Sequence, residues 1–188
     1  MLSIVKYDEK HSTALTTAFR EVFDDTELPY FEDFEDSGHS LVGIDRQGAI
    51  GAFILIGKTE EAIGPYEMKF LGVVNRHRKK GYAQALIKTV LKNIDGPLWL
   101  SVLEANVNAA RLYEHLGFKV ARQFKGETGE NGVSYIINLK CYVCEKELTP
   151  DTTYMDDVPT SLNFTNYGFS QVYEVVRVCR KCKTRVES

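Results

Sequence analysis

No cysteine occurs before residue 141 of this 188-residue chain; the four present, Cys141, Cys144, Cys179 and Cys182, all fall near its end. A disulfide framework therefore cannot organise the first part, which must rely on a hydrophobic core. Long apolar runs are absent too. The longest, Ala49–Ile56 (AIGAFILI), is far short of the about 20 residues that a membrane-spanning helix needs. At the N-terminus, Lys6, Asp8, Glu9 and Lys10 intervene before the apolar segment of a signal peptide could form. These absences predict a soluble, cytoplasmic protein with no membrane partner. A reducing compartment would turn the late cysteines towards metal binding or catalysis. A strong charge of one sign is also missing: 26 acids against 23 bases leave −3, with a pI near 5.9. That excludes a protein binding nucleic acid electrostatically over its whole surface.

Apolar residues make up 44% and charged residues 26%, as in ordinary globular proteins. At about 150 residues per domain, the length gives one domain and a remainder. Leu2–Tyr7 alternates as a strand, and Leu15, Ala18, Phe19, Val22 and Phe23 mark a helix over 8–23. Strands at 40–45 and 49–57 flank Arg46-Gln47-Gly48, a hairpin signal. A strand at 67–74 precedes a helix marked by Ala83, Leu86, Ile87, Val90, Leu91 and Ile94. A strand at 98–103, a helix at 106–116 closed by Gly117, and a strand pair at 118–125 and 133–140 complete the order. Helices alternating with strands in the middle and hairpins at the sides predict an α/β (α+β mixed) fold with a mixed sheet.

Two segments carry the chemistry. Arg78-Lys79-Lys80-Gly81-Tyr82-Ala83 lies between a strand and a helix start. Free N–H groups at the positive end of a helix dipole, with a glycine for close approach and flanking cations, suit a pyrophosphate. The plainer alternative is a solvated basic turn. Asn106-Val107-Asn108-Ala109-Ala110-Arg111-Leu112-Tyr113 then sets Asn106, Ala110 and Tyr113 at i, i+4 and i+7, on one helix face beside which an extended ligand chain has room. Its alternative is an amphipathic helix with Tyr113 packed in the core.

Together, Leu71–Ala83 resembles the acetyl-CoA-binding motif of the GNAT N-acetyltransferases, (Q/R)xxGx(G/A), and Asn106–Phe118 resembles that family's NxxAxxLYxxxGF. Asn75 stands where many members have proline, and Lys79 where glycine is frequent. The resemblance covers residues 1–140 and implies a splayed, mostly antiparallel GNAT-like sheet flanked by helices. It implies that acetyl-CoA lies in the splay, its pantetheine arm hydrogen-bonded to the main chain around Val73. The pyrophosphate would rest on the amides of Arg78, Lys79, Lys80, Gly81, Tyr82 and Ala83, with Asn106 holding the arm. Tyr113 would protonate the departing thiolate after direct attack by a neutral amine. Glu67, where some members place a glutamate base, is either that base or a surface carboxylate. His77 reads as a surface residue of the turn and His115 as a charge near a helix C-terminus; neither is assigned a catalytic role.

Glu21, Asp24, Asp25, Glu27, Glu32, Asp33, Glu35 and Asp36, interleaved with Tyr30, Phe31 and Phe34, form an acidic loop or broken helix without a base. In the family this segment lines the acceptor site, so a cationic amine is expected there: a small amine, a lysine or a protein N-terminus. A solvated acidic face is the alternative.

Cys141-Tyr142-Val143-Cys144 and Cys179-Arg180-Lys181-Cys182 are two CxxC knuckles. Four thiolates suit a structural, tetrahedral Zn²⁺, which would supply folding energy to a segment poor in core residues. Residues 141–188 thus read as a zinc-ribbon-like module, against two disulfides or a redox dithiol. Arg177, Arg180, Lys181, Lys183 and Arg185 leave a nucleic-acid contact open. The expected function is transfer of acetyl from acetyl-CoA to a primary amine. The alternative is a non-catalytic acyl-CoA-binding GNAT scaffold whose zinc module binds protein or nucleic acid.

Overall fold

The computed structural model describes residues 1–59, 64–126 and 129–138, and the strand backbones of 153–165 and 168–179. The chain divides into two compact units, Met1–Ile136 and Ile137–Ser188.

The first unit is built on a seven-stranded sheet, β1 (Ser3–Lys6), β2 (Leu41–Ile44), β3 (Ile50–Lys58), β4 (Tyr66–Val73), β5 (Leu98–Leu103), β6 (Lys119–Lys125) and β7 (Asn131–Ile137), in the spatial order β1-β2-β3-β4-β5-β7-β6. The pairs β1–β2, β2–β3, β3–β4 and β6–β7 are antiparallel, and β4–β5 is parallel. The mixed sheet read from the element order is therefore present, mostly antiparallel as the resemblance implies. Asp45 accepts the Gly48 amide at 3.1 Å in the expected β2–β3 turn, with Gly48 at φ +85.

The AIGAFILI run becomes β3, buried at every position from Ile50 to Gly57. A strand covered on both faces has no polar side to display, which is why its sequence does not alternate. One cover is α1 (Ser12–Val22), whose Leu15, Ala18 and Phe19 join Phe53, Leu55 and Phe70 in one core cluster. Asp8 and His11 start this segment with reciprocal bonds, the Asp8 carboxylate accepting the Lys10 amide at 3.0 Å and His11 Nδ1 accepting the Asp8 amide at 3.1 Å. The helix α3 (Tyr82–Asn93) buries Leu86, Ile87 and Val90 and also contacts β3. At Gly72 the backbone of β4 passes directly beneath the Phe53 ring; a Cβ there would lie 2.3 Å from Phe53 Cζ.

The acidic segment contains a short helix, α2 (Leu28–Glu32), entered through Pro29. The last helix of the unit, α4 (Val107–His115), ends at Leu116 and Gly117, the latter at φ +93. In the second unit, β8 (Thr153–Thr165) and β9 (Gly168–Cys179) form one long antiparallel hairpin, registered from Thr165↔Gly168 to Thr153↔Cys179. The segment reads from the sequence as polar and aromatic, and its two strands were not placed there. Among the described residues no helix is long and apolar enough to cross a membrane.

Candidate active site

β4 and β5 run parallel but pair only at their beginnings, Tyr66↔Leu98 and Glu67↔Trp99. The closed end is anchored by buried Trp99, whose indole Nε1 donates to the Gly64 carbonyl at 3.1 Å. Beyond it the strands part and leave a cleft of about 400 Å³. Its walls are Met68, Lys69, Phe70, Leu71 and Val73 of β4, Leu100, Ser101 and Val102 of β5, and Asn106, Asn108, Ala109, Leu112 and Tyr113 around α4. Val22 and Phe23, at the end of α1, and Arg78 and Ala83 complete it. The edge of β4 that faces away from β3 thus lies along a cavity, where an extended ligand can take the place of a strand.

At the far end of the cleft β4 leads into the basic turn. A 3₁₀ turn at Asn75–His77 is followed by Lys79 at φ +58 and Gly81 at φ +79. Gly81 is the N-cap of α3, and no side chain caps the helix. Its first-turn amides therefore have no intrahelical acceptor and form an anion-binding end. Lys79 occupies a left-handed conformation that costs an ordinary residue about 1–2 kcal/mol and glycine little, which accounts for the glycine common there in the resembling motif. Two of the turn's three cations are tied to carbonyls. Arg78 Nε donates to the Val73 carbonyl at 3.0 Å, and Lys80 Nζ to the Arg76 carbonyl at 2.8 Å. The Tyr82 hydroxyl accepts the Leu2 amide at 3.0 Å, fastening the turn to the chain start. Of the six turn residues only Arg78 and Ala83 line the cleft; Lys79, Lys80 and Gly81 are exposed beside it.

His77 is not the surface residue the sequence suggests. Its ring lies against Gly51 and meets Tyr82 edge-on at 6.0 Å, and its buried Nε2 has no hydrogen-bond partner among the described residues. Burial, with Lys80 and Arg76 nearby, lowers its pKa and favours the neutral ring. His115 is exposed in the last turn of α4, as expected.

Asn106 is the N-cap of α4, not a residue inside the helix, and its carbonyl oxygen accepts the Ala109 amide at 3.3 Å. The common face expected of Asn106, Ala110 and Tyr113 is accordingly redrawn. Ala109 and Leu112, not Ala110, line the cleft with Asn106 and Tyr113, because a capping residue stands off the helical wheel. Tyr113 is 7% exposed, between Phe118 at 5.7 Å and Tyr135 at 6.1 Å. Burial pushes its phenol up to about 12, so it keeps its proton at neutral pH. It is at once a core residue and a cleft residue.

Glu67 falls at the closed end, opposite Trp99, and is not among the residues lining the cleft. Its carboxylate pairs with Lys69, which does line it. Lys69 is the extra residue of a β-bulge, since Leu55 pairs with Phe70 and Ile56 with Met68. In the acidic segment, the Phe31 ring stacks on Phe19 at 4.3 Å and Phe34 packs on the same core. Only Tyr30, 69% exposed, keeps the free ring expected of an acceptor-stacking residue.

Sequence reasoning missed Lys69 and Ser101. Neither belongs to a motif, and only the parting of the strands puts them on a wall. Of the expected zinc ligands, Cys141, Cys144 and Cys182 lie outside the described residues, and Cys179 is the last residue of β9. Among the described residues there is no group of three or more His, Cys, Asp or Glu side chains that could hold a metal.

The model of the acetyltransferase (GNAT) family matches residues 9–118. No curated protein matches the chain in sequence. Among solved structures, Arabidopsis thaliana NAA60 in complex with acetyl-CoA is similar at a TM-score of 0.62 and 22% identity, over 73% of this chain and 99% of that one. The ribosomal-protein-S18-alanine N-acetyltransferase of Escherichia coli has a TM-score of 0.59 and 19% identity, over 73% and 93%. Arabidopsis thaliana Naa50 with the bisubstrate analogue CoA-Ac-MVNAL has a TM-score of 0.58 and 17% identity, over 73% and 99%.

Proposed function

The chain belongs to the GNAT acetyltransferase family, and from that premise we propose that it moves an acetyl group from acetyl-CoA to a primary amine in the β4–β5 cleft. The observation that carries this reading is a buried, proton-bearing Tyr113 in the wall of a cleft that runs to the uncapped start of α3. The pyrophosphate binds the first-turn amides of α3 around Gly81, Tyr82 and Ala83, with Lys79 and Lys80 beside it. The pantetheine arm lies along β4 near Val73 and under Asn106. A neutral amine attacks the thioester carbon, the C–S bond breaks, and Tyr113 donates its proton to the departing sulfur.

Glu67 serves by holding Lys69 at the cleft wall, a positioning role in keeping with its place at the closed end. The acceptor sheds its ammonium proton before attack, since Lys69 and Arg78 line the cleft and repel a cationic amine. An amine of modest basicity is therefore favoured, and the α-amine of a polypeptide, with a pKa of about 8, is neutral far more often than a lysine side chain at about 10.4. The names of the similar solved structures agree with a polypeptide acceptor: one is a ribosomal-protein-S18-alanine N-acetyltransferase, and another holds the bisubstrate analogue CoA-Ac-MVNAL. The acidic segment, with Tyr30 exposed, contributes to recruiting the rest of the acceptor.

The four cysteines bind one structural Zn²⁺. The hairpin supports this by bringing Cys179 back opposite Thr153, the end at which the chain arrives from Cys144. The metal would supply folding energy, and Cys141, Cys144, Cys179 and Cys182 would hold it. The two assignments are tested separately. CoA release with peptides of free N-terminus exceeds that with their N-blocked, lysine-containing counterparts; equal rates would reject the α-amine preference, and no release with any amine would reject the enzyme. Native mass spectrometry finds one zinc per chain, lost on treatment with chelator and thiol reagent; four freely reactive thiols and no zinc would reject the module.

A further inference from the structure

Three side chains form a line that ends in the cleft. Arg122 Nε donates to Ser134 Oγ at 3.3 Å, and Ser134 Oγ lies 2.9 Å from Ser101 Oγ. Ser134 is fully buried, Ser101 is exposed, and Ser101 lines the cleft on β5. Arg122 is over the Trp99 ring at 5.9 Å, so the head of the line rests on the anchor of the closed end.

The chemistry of the three groups fixes the direction of the line. A guanidinium only donates, so Ser134 Oγ is an acceptor towards Arg122. A buried hydroxyl needs a partner for its own proton, and Ser101 Oγ is the side-chain acceptor within reach of Ser134 among the described residues. Ser134 therefore donates to Ser101, and the Ser101 proton is left to point away from Ser134, into the cleft. A cation at the head polarises each hydroxyl in turn and makes the last a stronger donor. The same direction rules the line out as an exit for the amine's proton, because it begins at a group that cannot accept one.

Continuing the register Tyr66↔Leu98 and Glu67↔Trp99 sets Ser101 at the level of Lys69, near the fork and far from the turn at Arg78–Ala83. An arm anchored by its phosphates at that turn and laid along β4 brings its acyl end to this level. A neutral amine must keep its lone pair for attack, so the donor is not aimed at the nucleophile. The acyl oxygen is the acceptor atom that every turnover brings in.

We propose that Ser101, oriented by Ser134 and Arg122, donates its hydroxyl proton in a hydrogen bond to the acyl oxygen of the bound thioester and stabilises the oxyanion formed on attack. This rests on the acetyl transfer proposed above. No bond to Ser101 is made: the amine nitrogen bonds to the acyl carbon, the C=O pair moves to the oxygen, and Ser101 keeps its proton while that oxygen is negative.

The test combines rates with the carbonyl stretch of acetyl-CoA, ¹³C-labelled at the acyl carbon and bound to the full chain. Ser101→Ala lowers kcat about tenfold to a hundredfold, the range for losing one preorganised oxyanion donor. Its acetyl-CoA affinity stays within about twofold, since the bond strengthens chiefly in the transition state. Ser101→Thr, which keeps a hydroxyl, retains most of the rate. Ser134→Ala, which frees the Ser101 proton to turn, gives a smaller loss. The carbonyl stretch lies at lower frequency in the wild type than in Ser101→Ala, as expected for a hydrogen-bonded oxygen. An unchanged stretch and kcat in Ser101→Ala would overturn the proposal while leaving the acetyltransferase reading intact. A rise in acceptor KM with kcat unchanged would overturn it in favour of acceptor binding. Absence of acetyl transfer in the wild type would remove the premise, which the stretch detects separately because it needs only bound acetyl-CoA.

Discussion

At the closed end of the β4–β5 seam, two residue pairs and the Trp99 indole use up the hydrogen-bonding groups of adjoining strands. Four residues further along, the same β4 faces a cavity, and its neighbours are Asn106 and Tyr113 across a gap. The two ends differ little in local sequence character: both are apolar strand with an occasional charge. What differs is the partner. Beyond the two pairs at the fork the strands separate, and the separation leaves one strand's edge open along a cavity. Pairing thus holds one end of the seam shut and its loss leaves the other open, so the two ends respond to different substitutions.

The largest effect is expected at the closed end. Trp99→Ala removes a buried indole and its bond to Gly64, and should cost about 3–5 kcal/mol of stability in urea titration. A loss below about 1 kcal/mol would mean the fork is held by something else. At the open end, Tyr113→Phe should reduce kcat by about ten- to a hundredfold while acetyl-CoA affinity stays within about twofold. Tyr113 also provides a pH signature. Its folded-state pKa is raised from 10.0 to about 12, so the stability it contributes is complete below pH 10 and is lost as pH rises to about 12. That loss is about 2–3 kcal/mol, and Tyr113→Phe should lack it when unfolding is followed against alkaline pH.

Two smaller changes sharpen the contrast. Gly81→Ala puts a side chain at φ +79, where it meets no neighbouring atom, so about 1 kcal/mol of backbone strain is expected. The same change should weaken acetyl-CoA several-fold in a titration, because the strained turn carries the α3 amides. Glu67→Gln should alter turnover by less than about threefold, since the group pairs with Lys69 and does not line the cleft. A tenfold loss with the acidic limb of the pH–rate profile removed would instead restore Glu67 as the base.

Much of this was legible in the residues. The period of Leu15, Ala18 and Phe19 marked the buried face of α1, and the run at 49–57 marked a strand, β3. Arg78–Ala83 and Asn106–Phe118 marked two segments that contribute to the cleft wall, because each is a local device: a helix start with free amides, and a helix carrying a phenol. Residues acting through distant neighbours were not legible. His77 reads as exposed among four cations, Arg76, Arg78, Lys79 and Lys80, but Gly51 lies against its ring. Ser101 and Ser134 have no motif and become a pair only when β5 and β7 lie side by side. Phe31 and Phe34 read as free rings in an acidic loop until α2 folds them onto Phe19.

The sequence by itself determined the family, the order of the main strands and helices of the first unit and the two segments that flank the cleft, because those depend on periodicity and on contacts within a few residues. Tertiary structure alone decided that β4 and β5 separate after two pairs, that Glu67 lies at the closed end while Lys69 lines the open one, and that Ser101 reaches the cleft backed by a buried hydroxyl and a guanidinium. Strand divergence and buried polar lines arise from packing between segments far apart in the chain, which no local pattern encodes.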